Sequence, residues 1–542
     1  MSIPFPSISL PQALVKPFQG PATSIARASL LGLFSRLTIG QLEIQFLDGQ
    51  THKFGDPTLV KSKERNHSAA SQSTSAQLPS KNAAQASFAA AKADAPHAVL
   101  IVKSDTFWIR MFLGADLGFA ESFMTGEVDT PDLGACFELF IRNRASLSNL
   151  EGYSIASSLV SSAQAMLNRR FANTKVGSLR NIGAHYDISN EMYKAFLSKD
   201  MTYSCAIFDT LDADVTGPLL TRLNHASTQG MMTNGHTDSA ASGAYEPIRF
   251  TDDLPTPPEE SETKLEAEDE LEVAQLRKLR MIIKRANIRK DDRVLEIGTG
   301  WGSFAMEAVR STGCKVDSVT LSVEQKALAE ARIAEAGLTG SITVHLMDYR
   351  DFPPEWTNRF DRVCSIEMLE AVGIEFLETY FSCVDRVLKR DGGVAVFQCI
   401  TMPEGRFESY VRSVDFIKKW IFPGGILPSV TSLVDGATAG SKNQLVLDTV
   451  VNIGPHYSRT LREWRRRFEA HFDNVIRPAL LRDHEEIRNL PEVAKDKEIE
   501  VFRRKWIYYF VYCEVGFTNR VIGDHILAFT REGNVTLPVC CG

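Results

Sequence analysis

The sequence predicts an α/β protein in which a parallel sheet, covered by helices on both faces, follows a smaller mixed α/β domain. Three observations carry this prediction. Strand-like and helical patterns alternate from Leu271 onward, glycines occupy a strand-to-helix junction at 296–302, and two long stretches of the 542-residue chain are predominantly polar. Alternation of this kind places helices on both faces of a parallel sheet.

Two polar stretches, 61–95 and 213–268, interrupt the chain. The first is rich in Ser and Ala, and the second carries several prolines and ends in an acidic run. Neither can bury enough apolar surface to offset its chain entropy, so we expect two disordered insertions. The remaining chain divides into a small N-terminal domain (1–150), a basic helical connector (151–185) and a larger domain (186–542).

Charge and cysteine content exclude several function classes. A net charge of -7 argues against a general nucleic-acid binder. The nine cysteines show no zinc-like spacing, which predicts no metal site and suits a reducing, cytoplasmic compartment. The N-terminus lacks acids before Glu43 and carries Lys16, Arg27 and Arg36. This pattern also fits a mitochondrial presequence, but we favour a loose or membrane-touching arm.

In the small domain, alternating segments on both sides of Asp48-Gly49 predict a hairpin, and a helix is expected around 130–145. The larger domain begins with a helix over 271–288. Strands are then predicted, in order, at DRVLEIG, KVDSVTLS, SITVHLMD, FDRVCSIEM and GGVAVFQCIT. Ligands of such sheets bind at the carboxyl ends of the strands.

A glycine-rich loop follows the first of these strands. Its spacing of an acid and three glycines departs from a dinucleotide fingerprint and is typical of methyltransferases, although a glycine turn made only for packing would read similarly. We predict that the loop holds S-adenosylmethionine, through Glu296, Gly298, Thr299, Gly300, Trp301 and Gly302.

The next two strand ends support the same cofactor. No acid stands at the second one to bind the ribose hydroxyls. At the third, an acid can accept from the adenine amino group and a tyrosine can stack on the ring. The predicted contacts at these two ends are Thr320, Leu321, Ser322, Gln325, Asp348, Tyr349 and Arg350.

Outside the insertions, the chain resembles the family of cyclopropane-fatty-acid and mycolic-acid cyclopropane synthases along nearly its whole length. The resemblance is carried by HYDISNEMYKAFLSKDMTYSCAIF (185–208), VLEIGTGWGSF, SIEMLEAVG, FQCITM, DFIKKWIFPGGILPS and YYFVYCEVGF. It implies a Rossmann-like class I methyltransferase fold. The N-terminal segments LDGQTHKFGD and GFAESFMTGEVDTPDL resemble the extra domain of the phospholipid-acting members.

The resemblance also implies roles for individual residues. Tyr203 and Ser204 would close over the cofactor, and Cys513 occupies the position of a cysteine proposed to be catalytic, although the chemistry needs no covalent intermediate. Gln398 stands where histidine is common. A bicarbonate ion, which would act as the base, is expected at Cys205, Glu370, Gln398, Ile400 and Tyr509.

The expected reaction adds a methylene from S-adenosylmethionine to the cis double bond of a phospholipid acyl chain, forming a cyclopropane. A methyl-branching enzyme, a small-amine N-methyltransferase and a non-catalytic lipid-binding scaffold are the alternatives. Residues 277–290 hold seven Lys and Arg and no acid, which suggests either a peripheral membrane contact or a solvated helix face. By analogy with the family, a homodimer is also expected.

Overall fold

The computed structural model describes residues 20–55, 95–147, 190–211 and 269–537. The predicted connector and almost all of both predicted insertions lie outside the described residues, so those predictions stay untested.

The small N-terminal domain is a four-stranded sheet with helices packed on it, and the sheet order is β2-β1-β3-β4. Strands β1 and β2 form the antiparallel hairpin predicted at Asp48-Gly49, where Gly49 adopts a φ of 81°. Strand β3 pairs parallel with β1. The elements are α1 (Pro21–Phe34), β1 (Gln41–Gln45), β2 (Thr51–Gly55), β3 (His97–Val102), α2 (Thr106–Met124), β4 (Val128–Asp129), α3 (Leu133–Arg142) and α4 (Arg144–Leu147).

The larger domain begins, in the described part, with a short helix and then alternates strands and helices as predicted. Its first half contains α5 (Asn190–Phe196), α6 (Glu270–Arg285), β5 (Arg293–Ile297), α7 (Ser303–Thr312), β6 (Lys315–Thr320), α8 (Val323–Glu335), β7 (Ile342–Leu346) and β8 (Arg362–Ile366). Its second half contains α9 (Leu377–Val387), β9 (Val394–Thr401), α10 (Glu404–Arg412), α11 (Val430–Gly440), β10 (Val446–Asn452), α12 (Gly454–His471), α13 (Arg477–Asp483), α14 (Glu485–Arg488), α15 (Glu492–Thr518) and β11 (Gly523–Thr530).

Seven strands form one sheet in the order β10-β11-β9-β8-β5-β6-β7. Strands β5 to β9 pair in parallel, and β11 is antiparallel to both of its neighbours. This is the Rossmann-like arrangement of class I methyltransferases, so the predicted fold class is confirmed. The carboxyl ends of the parallel strands share one edge, where the glycine loop follows β5 and the other two predicted groups of cofactor contacts follow β6 and β7.

Local sequence determines where several of these helices begin. The side chains of Asp132, Asp269 and Ser322 accept hydrogen bonds from backbone N–H groups at the starts of α3, α6 and α8. Such caps satisfy donors that the first helical turn leaves without partners. The central strands are buried along nearly their whole length, as expected for a sheet covered on both faces.

Helix α15 connects the two domains. The Tyr508 ring packs 5.0 Å from the Phe137 ring of α3, and the Arg504 guanidinium donates to the Val128 carbonyl at 3.1 Å. On the other side, the Glu514 carboxylate accepts from Arg462 of α12 at 3.0 Å. Helix α15 therefore links the small domain mechanically to the wall of the larger one.

The basic stretch 277–290 begins within α6, and the structure buries part of it, while its contact with a membrane stays a prediction. Helix α6 ends at Arg285, Lys278 is fully buried, and Arg280 bonds to Glu307 at 2.7 Å. Among the described residues we find no helix whose length and apolar character would let it span a bilayer.

Candidate active site

The glycine loop presents its backbone to open space. Gly298, Gly300 and Gly302 have φ values of 104°, 51° and 88°, a region that other residues rarely adopt. A Cβ atom added at Gly300 would meet no atom within 4 Å, and Gly302 caps the start of α7. The loop thus leaves room for a ligand against its backbone, as the predicted cofactor requires.

Beneath the loop, a chain of hydrogen bonds fixes Glu296. The Ser318 hydroxyl donates to the Glu296 carboxyl at 2.6 Å, so it must accept from the Thr299 hydroxyl, also 2.6 Å away. Burial raises the pKa of Glu296 to about 8. We conclude that Glu296 supports the loop from inside the sheet as a mostly neutral carboxyl at pH 7.

The second strand end is held by a compact set of polar contacts. The Thr320 hydroxyl donates to Gln325 Oε1 at 2.8 Å, and the Ser322 hydroxyl caps α8 by accepting from the Gln325 backbone N–H at 3.1 Å. Leu321 lies between these residues and is half-buried. Because Gln325 Oε1 is engaged, its Nε2 is the end of the amide left to donate to a ligand.

At the third strand end, Arg350 and Asp348 pair with each other. Arg350 donates to the Asp348 carboxylate from Nε at 2.8 Å and from Nη2 at 2.6 Å. Tyr349 is buried, and its ring packs 5.1 Å from the Tyr380 ring. Contact of Asp348 and Tyr349 with adenine remains a prediction.

Residues of the 185–208 segment lie between the loop and the far end of the site. The Lys278 ammonium donates to the Ser204 hydroxyl at 2.5 Å, and the Tyr203 and Tyr509 hydroxyls are 3.0 Å apart. The Trp301 carbonyl accepts from Arg332 at 2.6 Å. The same guanidinium also donates to the Asp200 carbonyl, at 2.9 Å, and so ties this segment to the glycine loop.

A group of acids lies at the ends of β8, β9 and β11. Glu370 Oε1 accepts from the Ile400 backbone N–H at 2.6 Å. Gln398 Nε2 donates to Glu367 Oε1 and to Asp524 Oδ2, both at 2.8 Å. The structure therefore brings into one region the five residues assigned to the bicarbonate site, namely Cys205, Glu370, Gln398, Ile400 and Tyr509.

Four residues of this region were not predicted from the sequence. The Cys205 backbone N–H donates to Glu367 Oε1 at 2.8 Å, and the Tyr457 hydroxyl donates to Glu367 Oε2 at 2.7 Å. Glu367 adopts a φ of 47°, which is strained for a residue other than glycine. A strained acid at a strand end would have been a signal, but the sequence does not reveal backbone strain. The missed residues are Lys278, Glu367, Tyr457 and Asp524.

Burial disfavours the ionised form of these carboxyl groups. It raises the pKa of Glu370 to about 8, and the nearby Glu367 charge adds to that shift. Burial likewise raises the pKa of Glu367 and of Asp524, and it lowers the pKa of Lys278. The Lys278 charge favours ionised forms of Glu367 and Asp524, but burial outweighs it. Glu370 therefore retains its proton for most of the time at neutral pH.

The bicarbonate expectation does not fit this arrangement. Three of its predicted donors already bond to carboxyl groups, since the Cys205 N–H and the Gln398 amide donate to Glu367, and the Ile400 N–H donates to Glu370. A further anion here would have to displace these acids from the three donors and would then lie next to acidic groups.

A cavity of about 960 Å³ runs from this acid group to the small domain. At one end it is lined by Tyr203, Glu367, Glu370, Ile400, Tyr457 and Tyr509, and at the other by Leu30, Leu33, Phe119, Phe137, Phe140 and Ile141. Cys513 also lines the cavity, and burial raises the pKa of its thiol. A thiol kept protonated is a poor nucleophile, which argues against a covalent role.

Comparisons with known proteins identify the family of this chain and several relatives. The family model for mycolic acid cyclopropane synthetase matches residues 173–237 and 263–525. Tuberculostearic acid methyltransferase UfaA1 of Mycobacterium tuberculosis is 34% identical over 354 residues, which cover 65% of this chain and 65% of that protein, just under two thirds of its length. Cyclopropane-fatty-acyl-phospholipid synthase of Escherichia coli is 28% identical over 437 residues, 79% of this chain and 87% of that protein.

Among solved structures, cyclopropane synthase MmaA2 from Mycobacterium tuberculosis matches with 21% identity and a TM-score of 0.46. The match covers 65% of this chain and 98% of that one.

Proposed function

Because the chain belongs to the mycolic acid cyclopropane synthetase family and is an S-adenosylmethionine-dependent, lipid-modifying methyltransferase, we propose that it acts on the double bond of an unsaturated phospholipid acyl chain. The observation that carries this proposal is the cavity that connects buried acids with an apolar wall in the small domain. Its size suits a long apolar chain better than a small polar substrate. The product proposed is a cyclopropane.

The cavity also supports a phosphate-bearing substrate. Arg36, Arg144 and Arg406 line it, and the proximity of Arg144 contributes, with burial, to a lowered pKa of Arg406. Guanidinium groups that repel one another are stabilised when an anion such as a phosphodiester lies between them. We place the phospholipid headgroup at these arginines.

The reaction divides between cofactor and protein. S-adenosylmethionine, when bound, supplies an electrophilic methyl group that an alkene can attack. The protein must then keep water from the carbocation left on the acyl chain, and the apolar cavity wall does this. Among the aromatic residues of 410–422, Tyr410 and Phe422 line the cavity, whereas Phe416 packs in the core 4.5 Å from the Tyr508 ring. Aromatic faces stabilise a cation without attacking it.

We further propose that the cavity opens toward a bilayer. Phe112 and Leu113 line it while remaining 40% and 44% exposed, next to a kink in α2 where Ala115 has a φ of 47°. Replacing both Phe112 and Leu113 with Ser should reduce co-sedimentation with anionic vesicles. Leu47→Ser is the matched control, because Leu47 is 58% exposed and does not line the cavity. Equal loss in both variants would refute the assignment.

A second candidate is a small-amine N-methyltransferase. Three buried acids, Glu367, Glu370 and Asp524, would also suit an ammonium ion, since a positive ligand would favour their ionised forms. The elongated apolar wall gives such a ligand few contacts, so the lipid proposal is preferred.

The test is a reaction of purified protein with methyl-labelled S-adenosylmethionine and vesicles of a cis-monounsaturated phospholipid. We expect label in the lipid as one added methylene, and no label with a saturated phospholipid of the same headgroup. Fragmentation of the product separates a ring from a branched or methylene chain, which would revise the product but not the substrate. Labelling of small amines, with none in lipid, would overturn the proposal.

A further inference from the structure

The predicted anion site of this chain is already filled by its own side chains. Glu367 occupies two of the donors expected to hold bicarbonate, the Cys205 N–H and the Gln398 amide, and Glu370 occupies a third at Ile400. The Gln398 amide also donates to Asp524. Every one of these contacts is 2.6–2.8 Å long, as is typical of hydrogen bonds to carboxylates. The site therefore holds carboxylates where a separate anion was expected.

Within this group, Glu370 and Asp524 each keep one buried oxygen without a hydrogen-bond partner among the described residues, and of these two acids Glu370 is the one that lines the cavity. Its Oε1 is held by the Ile400 N–H, whereas its Oε2 is buried and has no hydrogen-bond partner among the described residues. Both oxygens of Glu367, in contrast, accept hydrogen bonds, and the Asp524 side chain does not line the cavity. A buried acceptor without a partner is costly unless function requires it.

We infer that Glu370 itself is the base of the reaction and that Glu370 Oε2 removes the proton for which bicarbonate was expected. This inference rests on the proposed function. The alkene π electrons form the new C–C bond to the methyl carbon while the S–CH₃ bond breaks, leaving a neutral thioether and a carbocation. A C–H bond of the transferred methyl then breaks. Its proton passes to Glu370, and its electron pair closes the ring onto the cationic carbon.

Glu370 must be ionised to accept that proton. The titratable groups that act on it come from several elements, namely Glu367, Cys399, Tyr410 and Asp524, with Lys278 acting on the group through Glu367 and Asp524. Burial raises the pKa of Glu370 to about 8. A bound sulfonium cation nearby would favour the carboxylate and bring the pKa down. The same positive charge that activates the methyl group thus prepares the base.

This predicts a particular pH profile. kcat/KM, which reports the free enzyme, should rise with pH to a plateau above about 8. kcat, which reports the cofactor complex, should reach its plateau at lower pH. In Glu370→Gln the rising limb of the kcat/KM profile, meaning its increase with pH, should disappear. Glu370→Asp keeps a carboxylate and should retain this limb at a reduced rate.

The decisive experiment compares wild type, Glu370→Gln and the control Glu375→Gln in buffer freed of CO₂ and in buffer with added bicarbonate. Glu375 is an exposed acid of the same segment, so its variant carries the same chemical change outside the cavity. We expect wild type and Glu375→Gln to form the lipid product at the same rate in both buffers. Glu370→Gln should lose roughly a hundred- to ten-thousandfold in rate. Added bicarbonate should not restore it.

A structural defect would look different from a lost base. Calorimetry should show that Glu370→Gln binds S-adenosylmethionine nearly as well as wild type, and its residual product should shift toward lipid carrying a methyl and a hydroxyl, because water captures a cation that nothing deprotonates. Product formation by wild type that requires bicarbonate, or a Glu370→Gln variant of normal rate, would overturn the inference alone. Absence of any lipid product from wild type would instead overturn the proposed function.

Discussion

Two buried glutamates on the same edge of the sheet have the same raised pKa and opposite surroundings. Burial brings the pKa of both Glu296 and Glu370 to about 8. Glu296 is only 4% exposed and is closed off by the Ser318 and Thr299 hydroxyls. Glu370 lines the cavity with one oxygen unsatisfied. A perturbed pKa therefore does not by itself identify a catalytic acid or base, and the free atom facing a cavity does so better.

The first way to test the comparison is at the cofactor end, where we expect the ligand to contact backbone. Gly300→Val places a side chain in the open space at the loop and should weaken S-adenosylmethionine binding by about a hundredfold, equivalent to roughly 2.7 kcal/mol. Calorimetry measures this directly. Gly392→Val is the control, because Gly392 also has a positive φ and open space around its Cβ position. Equal effects of both variants would mean general strain instead of a blocked site.

The second prediction separates support from catalysis at Glu296. The pKa of Glu296 in the folded state lies above its ordinary value of 4.5. Its contribution to the free energy of unfolding is therefore fully present below pH 4.5 and is lost as pH rises through about 8. Glu296→Gln should therefore lose less stability than wild type between pH 5 and 9, by roughly a few kcal/mol. Thermal and denaturant unfolding at several pH values check this. The activity limb assigned to Glu370 should stay in place, and its disappearance would contradict the comparison.

The third prediction concerns the neighbour of Glu370. The charge of Glu367 is the largest cause, after burial, of the raised Glu370 pKa. Glu367→Gln should shift the kcat/KM limb down by about one pH unit, because one like charge has been removed. An unchanged limb, in a variant that folds and binds cofactor, would show that another group titrates.

The smallest effect is expected at the paired hydroxyls of Tyr203 and Tyr509, which are 3.0 Å apart at the cavity. Tyr509→Phe removes one neutral hydrogen bond and should slow the reaction by about tenfold or less. Tyr203→Phe should give a similar loss, and the double variant should cost little more than either single change, since both remove the same bond. A loss as large as that of Glu370→Gln would make Tyr509 the better candidate for the base.

The sequence predicted the five parallel strands and the glycine loop because both are encoded locally, whereas β10 and β11 were not predicted. Val, Ile or Leu recur in each of the strands β5 to β9, and the glycines mark a turn that other residues would strain. The acid group was predicted only in part, because its members come from distant segments that meet only in three dimensions. Glu367 and Asp524, for example, are 157 positions apart in the chain and share the Gln398 amide.

Lys278 shows a different limit. It lies in a run of cations, which favoured a solvated or membrane-facing surface, yet it is fully buried. It falls seven residues after Leu271 and on the same helical face as Ala274 and Ile282, which are also buried. Helical periodicity would have predicted that Lys278 points inward, but the prediction for this stretch was based on its number of cations.

One consequence follows from the way α15 joins the domains. Tyr508 and Tyr512 of α15 lie against the small domain, while Tyr509 and Cys513, one residue further along each time, belong to the reaction end of the same cavity. This helix thus contributes to the distance between Glu370 and the two proposed headgroup arginines of the small domain, Arg36 and Arg144. This distance would select the position of the double bond that reacts, because it fixes how many acyl carbons lie between the headgroup and Glu370. Regioselectivity would then be a property of distance, adjustable by exchanging the small domain without touching the chemistry.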